Sequence, residues 1–305
     1  MNLMIPWSSE GMPNPIVCRP ALPMDTREVM ELTRRIWDGE DYVPHVWAKW
    51  LQDPDGLLAV AECGGSIVGL GKLTKLSTSD WWMEGLRVHP DHEGRGVASK
   101  LNNYLYGYWL RVGSGFLRLA TSSSREPVKH LSKQKGFRVV GEFTTYKAST
   151  IKTAEEHESN PYFAPMTAEN IDEAVELLCD SSKDWLLHGL MDLGWQWAAP
   201  STQHITQYMK DDQVWWWRER QGLLIVVKKS DDSENVARIR MLACSSVDVV
   251  DFLMDSRNFA GSKGFDQITW LAPLFPEMED SLTKAGFRRD WEGSLLLFET
   301  HFPGA

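Results

Sequence analysis

The chain has 305 residues, of which 43% are hydrophobic and 24% charged, a composition typical of globular rather than disordered proteins. Its 32 basic and 42 acidic side chains give a net charge of −10, which argues against binding to duplex nucleic acid. The longest purely apolar run, 223–227, is far shorter than the roughly 20 residues that span a membrane. The four cysteines form no CxxC pair, so we expect reduced thiols and a cytoplasmic protein.

Residues 1–18 contain prolines without periodicity, and we interpret them as an N-terminal arm. They lack Lys and Arg, so we expect no secretory or mitochondrial targeting segment. Asp25 and Glu28 then form a predicted capping box that opens a helix. The further predicted elements are strands at 57–62, 66–74 and 82–88, a helix at 97–112, a strand at 116–121, a helix at 127–135 and a strand at 137–146. With one strand expected ahead of the first helix, these elements give the order β-α-β-β-β-α-β-α-β and predict an α/β domain over 19–148 with a mixed sheet.

The second half of the sequence repeats features of the first. A polar stretch at 149–160 is the predicted linker, and similar patterns return over 161–305. Gly-Phe pairs begin at 115 and 264, and again at 136 and 286, which are offsets of 149 and 150. A tandem duplication predicts such a shared offset, and chance recurrence of Gly-Phe pairs is the alternative.

The most informative stretch joins the predicted strand ending near Val88 to the helix that starts at Val97. Gly94 and Gly96 stand at this junction, where a glycine allows close approach of a ligand to the backbone. Unpaired N–H groups at a helix start bind phosphate. A Walker A loop is excluded because no Gly-Lys-Ser/Thr occurs here, and a dinucleotide fingerprint is weakened because Ser99 replaces its third glycine. A glycine-rich turn that binds nothing is the remaining alternative.

Residues 88–98 resemble the acetyl-CoA motif of the GNAT family of N-acetyltransferases, and the resemblance extends over about 19–146. Gly96 and Ala98 fit the motif, whereas Glu93 stands where the family has Gln or Arg. The resemblance implies tandem GNAT-like acyl-CoA N-acyltransferase folds and acetyl-CoA as co-substrate. The second copy is expected to be degenerate, because no glycines follow its predicted strand at 235–243. The implied cofactor-binding residues are Leu86, Arg87, Val88, Glu93, Gly94, Arg95, Gly96, Val97, Ala98, Ser99 and Arg125.

The same resemblance suggests catalytic and acceptor residues. Glu84 is the candidate base, since some family members use a glutamate on this strand, and a surface glutamate is the alternative. Ser132 stands where the family often has a Tyr general acid, and Arg125 replaces an expected asparagine. The proton of the leaving group could instead come from water, Tyr146 or Ser123. The segment 37–50 is the implied acceptor wall; there Asp41 and Tyr42 could hold an ammonium or hydroxyl, and Arg87 could bind an acceptor carboxylate, unless each is a solvated surface residue.

Three short segments, 36–44, 50–53 and 84–88, also resemble histidine N-acetyltransferases, which acetylate the α-amine of a free amino acid. We therefore expect an N-acetyltransferase that uses acetyl-CoA and no metal, because His89 and His92 lie in a loop without a full ligand set. The expected partner is a small-molecule amine, with no nucleic acid, no membrane and no assigned oligomeric state. A non-catalytic acyl-CoA sensor and a purely structural tandem domain are the alternatives.

Overall fold

The computed structural model describes residues 14–152, 162–181, 189–228 and 235–303. Their contacts divide the chain into two units, one ending at Leu117 and taking in the chain from His301 onward, the other spanning Arg118 to Thr300. This division follows compactness, whereas the sequence boundary at 149–160 follows the repeat. Most of the predicted arm and linker lies outside the described residues.

The first unit contains an antiparallel run of strands in the order β1-β2-β3-β4. Its elements are β1 (Ile16–Pro20), α1 (Thr26–Thr33), α2 (Val43–Leu51), β2 (Leu57–Cys63), β3 (Ser66–Lys75), β4 (Asp80–Val88) and α3 (Val97–Val112). Helices α1 and α2 bury Val29, Leu32 and Trp47 in one core with Val60 and Leu70 of the sheet. Burial of this apolar face, more than helix propensity, stabilises helices as short as these.

The second unit has strands in the order β5-β15-β6-β13-β12-β11-β10-β7, with β12 and β13 parallel. Its elements are β5 (Phe116–Ser122), which begins at the unit boundary, α4 (Glu126–Gln134), β6 (Arg138–Ser149), β7 (Phe163–Pro165), α5 (Ile171–Ser181), β8 (Met191–Asp192), β9 (Trp197–Ala198), α6 (Thr202–Met209), β10 (Val214–Trp217), β11 (Gly222–Lys228), β12 (Val236–Ala243), α7 (Val249–Ser262), β13 (Gln267–Pro273), α8 (Pro276–Lys284), β14 (Arg288–Arg289) and β15 (Leu295–His301). None of the helices in the described ranges is both long and apolar enough to cross a membrane.

The order of elements repeats along the chain, as the Gly-Phe offsets predict. The order β-α-α-β-β-β-α-β-α-β runs from β1 to β6, and it runs again from β7 to β15 with the short strands β8, β9 and β14 added. The glycines of the repeated pairs also share a left-handed backbone, with φ of 62° and 83° at Gly115 and Gly264, and 76° and 79° at Gly136 and Gly286. The predicted mixed α/β class is confirmed, and each copy contains one more helix than predicted.

Three local features differ from the sequence predictions. Strand β1 begins at Ile16, inside the segment predicted as an arm, and α2 lies in the segment predicted only as an acceptor wall. The capping box at Asp25 is wrong. The Asp25 carboxylate accepts two hydrogen bonds from Arg19, each 2.8 Å, and one from the Leu22 N–H, while Glu28 accepts the Ile67 N–H. Charge-assisted hydrogen bonds to Arg19 are stronger than a bond to a helix N–H.

Candidate functional site

A β-bulge interrupts β4 in the middle of the predicted site. Lys72 of β3 lies opposite Glu84, and Leu70 lies opposite Arg87, so Gly85 and Leu86 together face a single β3 residue. Gly85 has a left-handed φ of 66°, and the Trp50 ring lies 2.6 Å from where a Cβ would stand. Bulges of this kind bend a strand and change the direction of its side chains. The glycine and the ring therefore fix where Glu84 and Arg87 point.

Replacing Gly85 with Ala is expected to lower the free energy of unfolding by about 2–5 kcal/mol. The left-handed backbone costs an L-residue about 1–2 kcal/mol, and the clash with Trp50 adds overpacking of about 1–3 kcal/mol. Urea unfolding measures the loss. Gly65→Ala is the matched control, because Gly65 has a φ of 83° with nothing within 4 Å of an added Cβ. Equal losses at the two positions would show that the Trp50 contact contributes nothing.

Glu84 lies on β4 just before the bulge, and its side chain is half-buried. Thr74 of β3 donates a hydrogen bond from Oγ1 to the Glu84 Oε1, at 2.8 Å. Glu84 also lies directly opposite Lys72 in the strand register. The candidate base is therefore held from the neighbouring strand and is not a solvated surface residue.

Lys72 is fully buried, which is rare for a lysine unless it is paired. Its ammonium forms an ion pair with Asp53 and donates to the Leu73 carbonyl at 3.0 Å. Burial lowers the pKa of Lys72, and the Asp53 and Glu84 carboxylates offset part of that shift. Burial is the largest influence on the pKa of Asp53 and would raise it. The hydrogen bond and charge of Lys72, together with the backbone N–H groups of Asp55 and Gly56, outweigh burial and leave that pKa lowered.

Arg87 and Asp41 form a buried ion pair beyond the bulge. The Arg87 Nε and Nη2 donate to the two Asp41 oxygens, each at 2.9 Å, and Nη1 donates to the Leu86 carbonyl at 3.2 Å. The guanidinium lies 4.3 Å from the Trp37 ring centre and 5.1 Å from that of Tyr42. Burial raises the pKa of Tyr42 to about 12. The structure thus brings Asp41, Tyr42 and Arg87 together, with the two charged groups bound to each other.

The loop before α3 has the backbone form that the glycine pattern predicts. Gly94 and Gly96 have left-handed φ values of 71° and 79°, and an added Cβ at either would project into open space. Gly96 is the N-cap of α3 and no side chain caps that helix end, so backbone N–H groups of its first turn remain for a ligand. Glu93 is exposed, and the Arg95 guanidinium lies 3.1 Å from the His92 Nδ1. This open, glycine-formed helix start fits a diphosphate.

The remaining predicted cofactor-binding residues of the first unit differ in exposure. Val97 packs into the core, Ala98 is half-buried and Ser99 is exposed, so the residues after Gly96 anchor the helix as well as line its start. Leu86 and Val88 are half-buried on β4, where Val88 lies opposite Gly69. In the part of the chain that the structure describes, no cluster of three or more His, Cys, Asp or Glu side chains could hold a metal.

Arg125 and Ser132 belong to the second unit. Arg125 is the residue immediately before α4, and Ser132 lies buried within that helix. The Ser132 hydroxyl donates to the Val128 carbonyl at 2.9 Å, so its proton already has an acceptor inside the helix. The Tyr146 hydroxyl donates to Glu279 at 3.1 Å, and burial first, then this bond, raises the pKa of Tyr146 to about 12. A catalytic role for Ser132 stays a prediction.

Residues 26–137 match the sequence model of the acetyltransferase (GNAT) family. Over this segment the chain is similar to the GNAT acetyltransferase family. Over 78 residues it is 33% identical to Probable N-acetyltransferase 16 of Homo sapiens and to histidine N-acetyltransferase of Oreochromis niloticus. Each alignment covers 25% of this chain, and they span 21% and 23% of those relatives' length.

Solved structures with the same fold cover nearly the whole chain. A GCN5-related N-acetyltransferase from Sphaerobacter thermophilus matches with a TM-score of 0.62 at 13% identity, covering 95% of this chain and 97% of that one. A tandem GNAT protein from the clavulanic acid biosynthesis pathway matches with a TM-score of 0.57 at 10% identity, covering 95% and 100%. At these identities the likeness concerns the fold, and it confirms the prediction of a tandem GNAT-like architecture.

The sequence does not predict the contacts of Lys72, Thr74 and Asp53 around Glu84, or the stacking of Trp37 on Arg87. One signal was present, because Lys72 stands within an otherwise apolar run of β3. A lysine in such a run indicates a buried charge that needs a partner. Nothing in the sequence identified Asp53, nineteen positions earlier, as that partner.

Proposed function

We propose that this protein transfers an acetyl group from acetyl-CoA to the amine of a small molecule, with free amino acids as the acceptor class. The observation that carries the proposal is the pair of left-handed glycines, Gly94 and Gly96, at the uncapped start of α3 within the GNAT-matched segment. The names of the two relatives described above support the reaction type, and one of them supports an amino-acid acceptor. Their short overlap with this chain leaves the activity and the acceptor as proposals.

The backbone N–H groups of 94–99 would form a cradle that holds the diphosphate of acetyl-CoA. The helix dipole adds a favourable positive charge there. When bound, acetyl-CoA supplies a thioester-activated acetyl group. An amine attacks only in its neutral form, so the acceptor ammonium must first lose a proton. Glu84 would accept that proton, since its half-buried carboxylate is held by Thr74 at the edge of the bulge.

The acceptor end of the site would be formed by the aromatic rings around Arg87. Trp37 and Tyr42 are 48% and 41% exposed, so their outer faces remain open to a ligand. Arg87 and Asp41 satisfy each other and would act by fixing these rings instead of binding the acceptor directly. Because its pKa is raised to about 12, the Tyr42 phenol stays protonated near neutral pH and would serve as a hydrogen-bond donor.

The first test compares two glycine variants that share backbone geometry. Gly96→Ala and Gly65→Ala both place a methyl at a left-handed position with open space, at φ of 79° and 83°. We expect similar losses of stability, about 1–2 kcal/mol, but only Gly96→Ala should weaken CoA binding, by about tenfold or more. Thermal unfolding with and without CoA measures both effects, since a ligand of the folded state raises the midpoint. Unchanged CoA binding in Gly96→Ala would contradict the proposal that the backbone of 94–99 binds the diphosphate.

The second test measures CoA release from acetyl-CoA in the presence of each of the twenty free amino acids. Turnover with at least one of them supports the enzyme. One observation favours the alternative of an acyl-CoA sensor, namely that the Ser132 hydroxyl is committed to the Val128 carbonyl. Tight acetyl-CoA binding without turnover of any amine would favour that sensor. A cytoplasmic location and the lack of nucleic-acid and membrane partners remain predictions.

A further inference from the structure

Strand β3, which pairs with β4 beside Glu84, carries two polar side chains that the acetyl-transfer chemistry does not itself require. Thr74 donates to the Glu84 carboxylate at 2.8 Å, and Lys72 lies directly opposite Glu84 in the strand register. Lys72 is completely buried and its ammonium is anchored by Asp53 and the Leu73 carbonyl. One strand therefore presents a hydroxyl donor and a fixed positive charge to a single carboxylate.

We propose that Lys72 and Thr74 are positioning residues for Glu84, which hold its carboxylate in one orientation in its ionised form. This inference rests on the proposed function, in which Glu84 accepts the proton of the acceptor amine. Packing alone does not account for Lys72, because burying an ammonium is costly and an apolar residue of similar volume would fill the same space. The ion pair with Asp53 fixes the position of that ammonium.

The groups around Glu84 determine the sign of the effect. Among the described residues of the first unit they include Lys72 and Thr74 on β3 and Tyr42 before α2, whose phenol interacts electrostatically with Glu84. A nearby cation and a donated hydrogen bond both favour a charged carboxylate, whereas a neutral phenol adds no opposing charge. Removing either β3 group should therefore make Glu84 easier to protonate.

The test reads the Glu84 carboxyl directly, without any ligand. Carbon-13 NMR of glutamate-labelled protein follows its titration, with the signal assigned by its absence in Glu84→Gln. We expect Glu84 to titrate at a higher pH in Thr74→Val and in Lys72→Met than in the wild type, and Thr74→Ser to restore the wild-type value. Glu31, which is exposed and paired with Arg34, should titrate identically in all four proteins. Identical titration of Glu84 in wild type, Thr74→Val and Lys72→Met overturns the proposal.

Kinetics then separate positioning from a general loss of structure. Thr74→Val should lower kcat about tenfold or more, the effect of losing a hydrogen bond to a charged group, with KM for acetyl-CoA unchanged. In a Glu84→Gln background the same substitution should have no further effect, because residues that act through one another are not additive. An additive effect would contradict the proposal. If Lys72→Met alone unfolds, Lys72→Met combined with Asp53→Asn takes its place in these measurements, because it leaves no unpaired carboxylate at Asp53.

The failure of this inference is distinguishable from the failure of the proposed function. If no amine is acetylated, the proposed function fails, while the NMR titration still decides whether Lys72 and Thr74 act on Glu84. If Glu84→Gln abolishes turnover but Thr74→Val and Lys72→Met leave the titration and kcat unchanged, the function stands and the positioning role is refuted.

Discussion

Replacing Asp41 with Asn is expected to reduce the free energy of unfolding by about 3–5 kcal/mol, the cost of leaving a buried charge without its partner. The Asp41 side chain is fully buried, and it binds an Arg87 side chain that is 9% exposed through two hydrogen bonds of 2.9 Å. Asparagine keeps the shape but offers one oxygen and one N–H₂ group where Arg87 needs two acceptors. Urea unfolding measures the loss.

A double variant distinguishes the loss of the whole ion pair from the cost of leaving one buried charge unpaired. Asp41→Leu with Arg87→Met removes both charges, and we expect it to be more stable than Asp41→Asn, because apolar residues often replace a buried ion pair at little cost. Glu31→Gln is the control on an exposed pair, Glu31 and Arg34, whose loss should cost under about 1 kcal/mol. A cost at Asp41 as small as at Glu31 would show that the buried pair contributes no more than a surface one.

The ion pair also explains how a strained segment is held. Trp37, Asp38 and Gly39 have consecutive positive φ values of 47°, 55° and 90°, a conformation that costs non-glycine residues free energy. The Arg87 guanidinium stacks on Trp37 and binds Asp41, so one side chain of β4 contacts both sides of this segment. We therefore expect Asp41→Asn to increase the mobility of Trp37, which the NMR signal of its indole N–H, assigned by its loss in Trp37→Phe, would report.

Much of the fold could be predicted because its signals are local. The apolar positions Leu101, Leu105 and Trp109 recur at helical spacing and are all buried in α3. The Gly64-Gly65 turn ends β2 and starts β3, as a two-glycine hairpin should. Helix α2 was missed although Val43, Trp47 and Trp50 follow the same helical spacing and are buried. Pro44 stands in the first turn of α2, a position where proline is well accommodated.

The candidate site was only partly predictable, because its side-chain pairings are not local. Gly94 and Gly96 could be predicted from sequence, because the left-handed backbone at each is a local conformation that favours glycine whatever the rest of the chain does. The partner of Arg87 lies 46 positions away and that of Lys72 lies 19 positions away. Such pairings depend on how α2 and the segments on either side of it pack on the sheet. The sequence therefore indicated the residues around Arg87 without indicating that Asp41 and Arg87 bind each other.

Replacing Glu84 with Gln is expected to lower kcat for acetyl transfer by about 10²–10⁴-fold, the contribution typical of a general base. Glutamine has the same shape and can still accept the Thr74 hydroxyl through its carbonyl oxygen, but it cannot take a proton from the acceptor ammonium. The KM for acetyl-CoA should not change, because the cradle at 94–99 is a separate part of the first unit. Steady-state CoA release with the best amino-acid acceptor measures both parameters.

The pH dependence of the remaining activity distinguishes a base from a structural glutamate. In the wild type, kcat/KM should fall at acidic pH as Glu84 and the acceptor amine are protonated. In Glu84→Gln the component due to Glu84 should disappear, and raising the pH should recover activity because more acceptor is already neutral. Glu31→Gln, at an exposed position, should have the same kcat and the same pH profile as the wild type. If Glu84→Gln keeps more than about half of the wild-type kcat with an unaltered pH profile, another group takes the proton and Glu84 serves only to order β4.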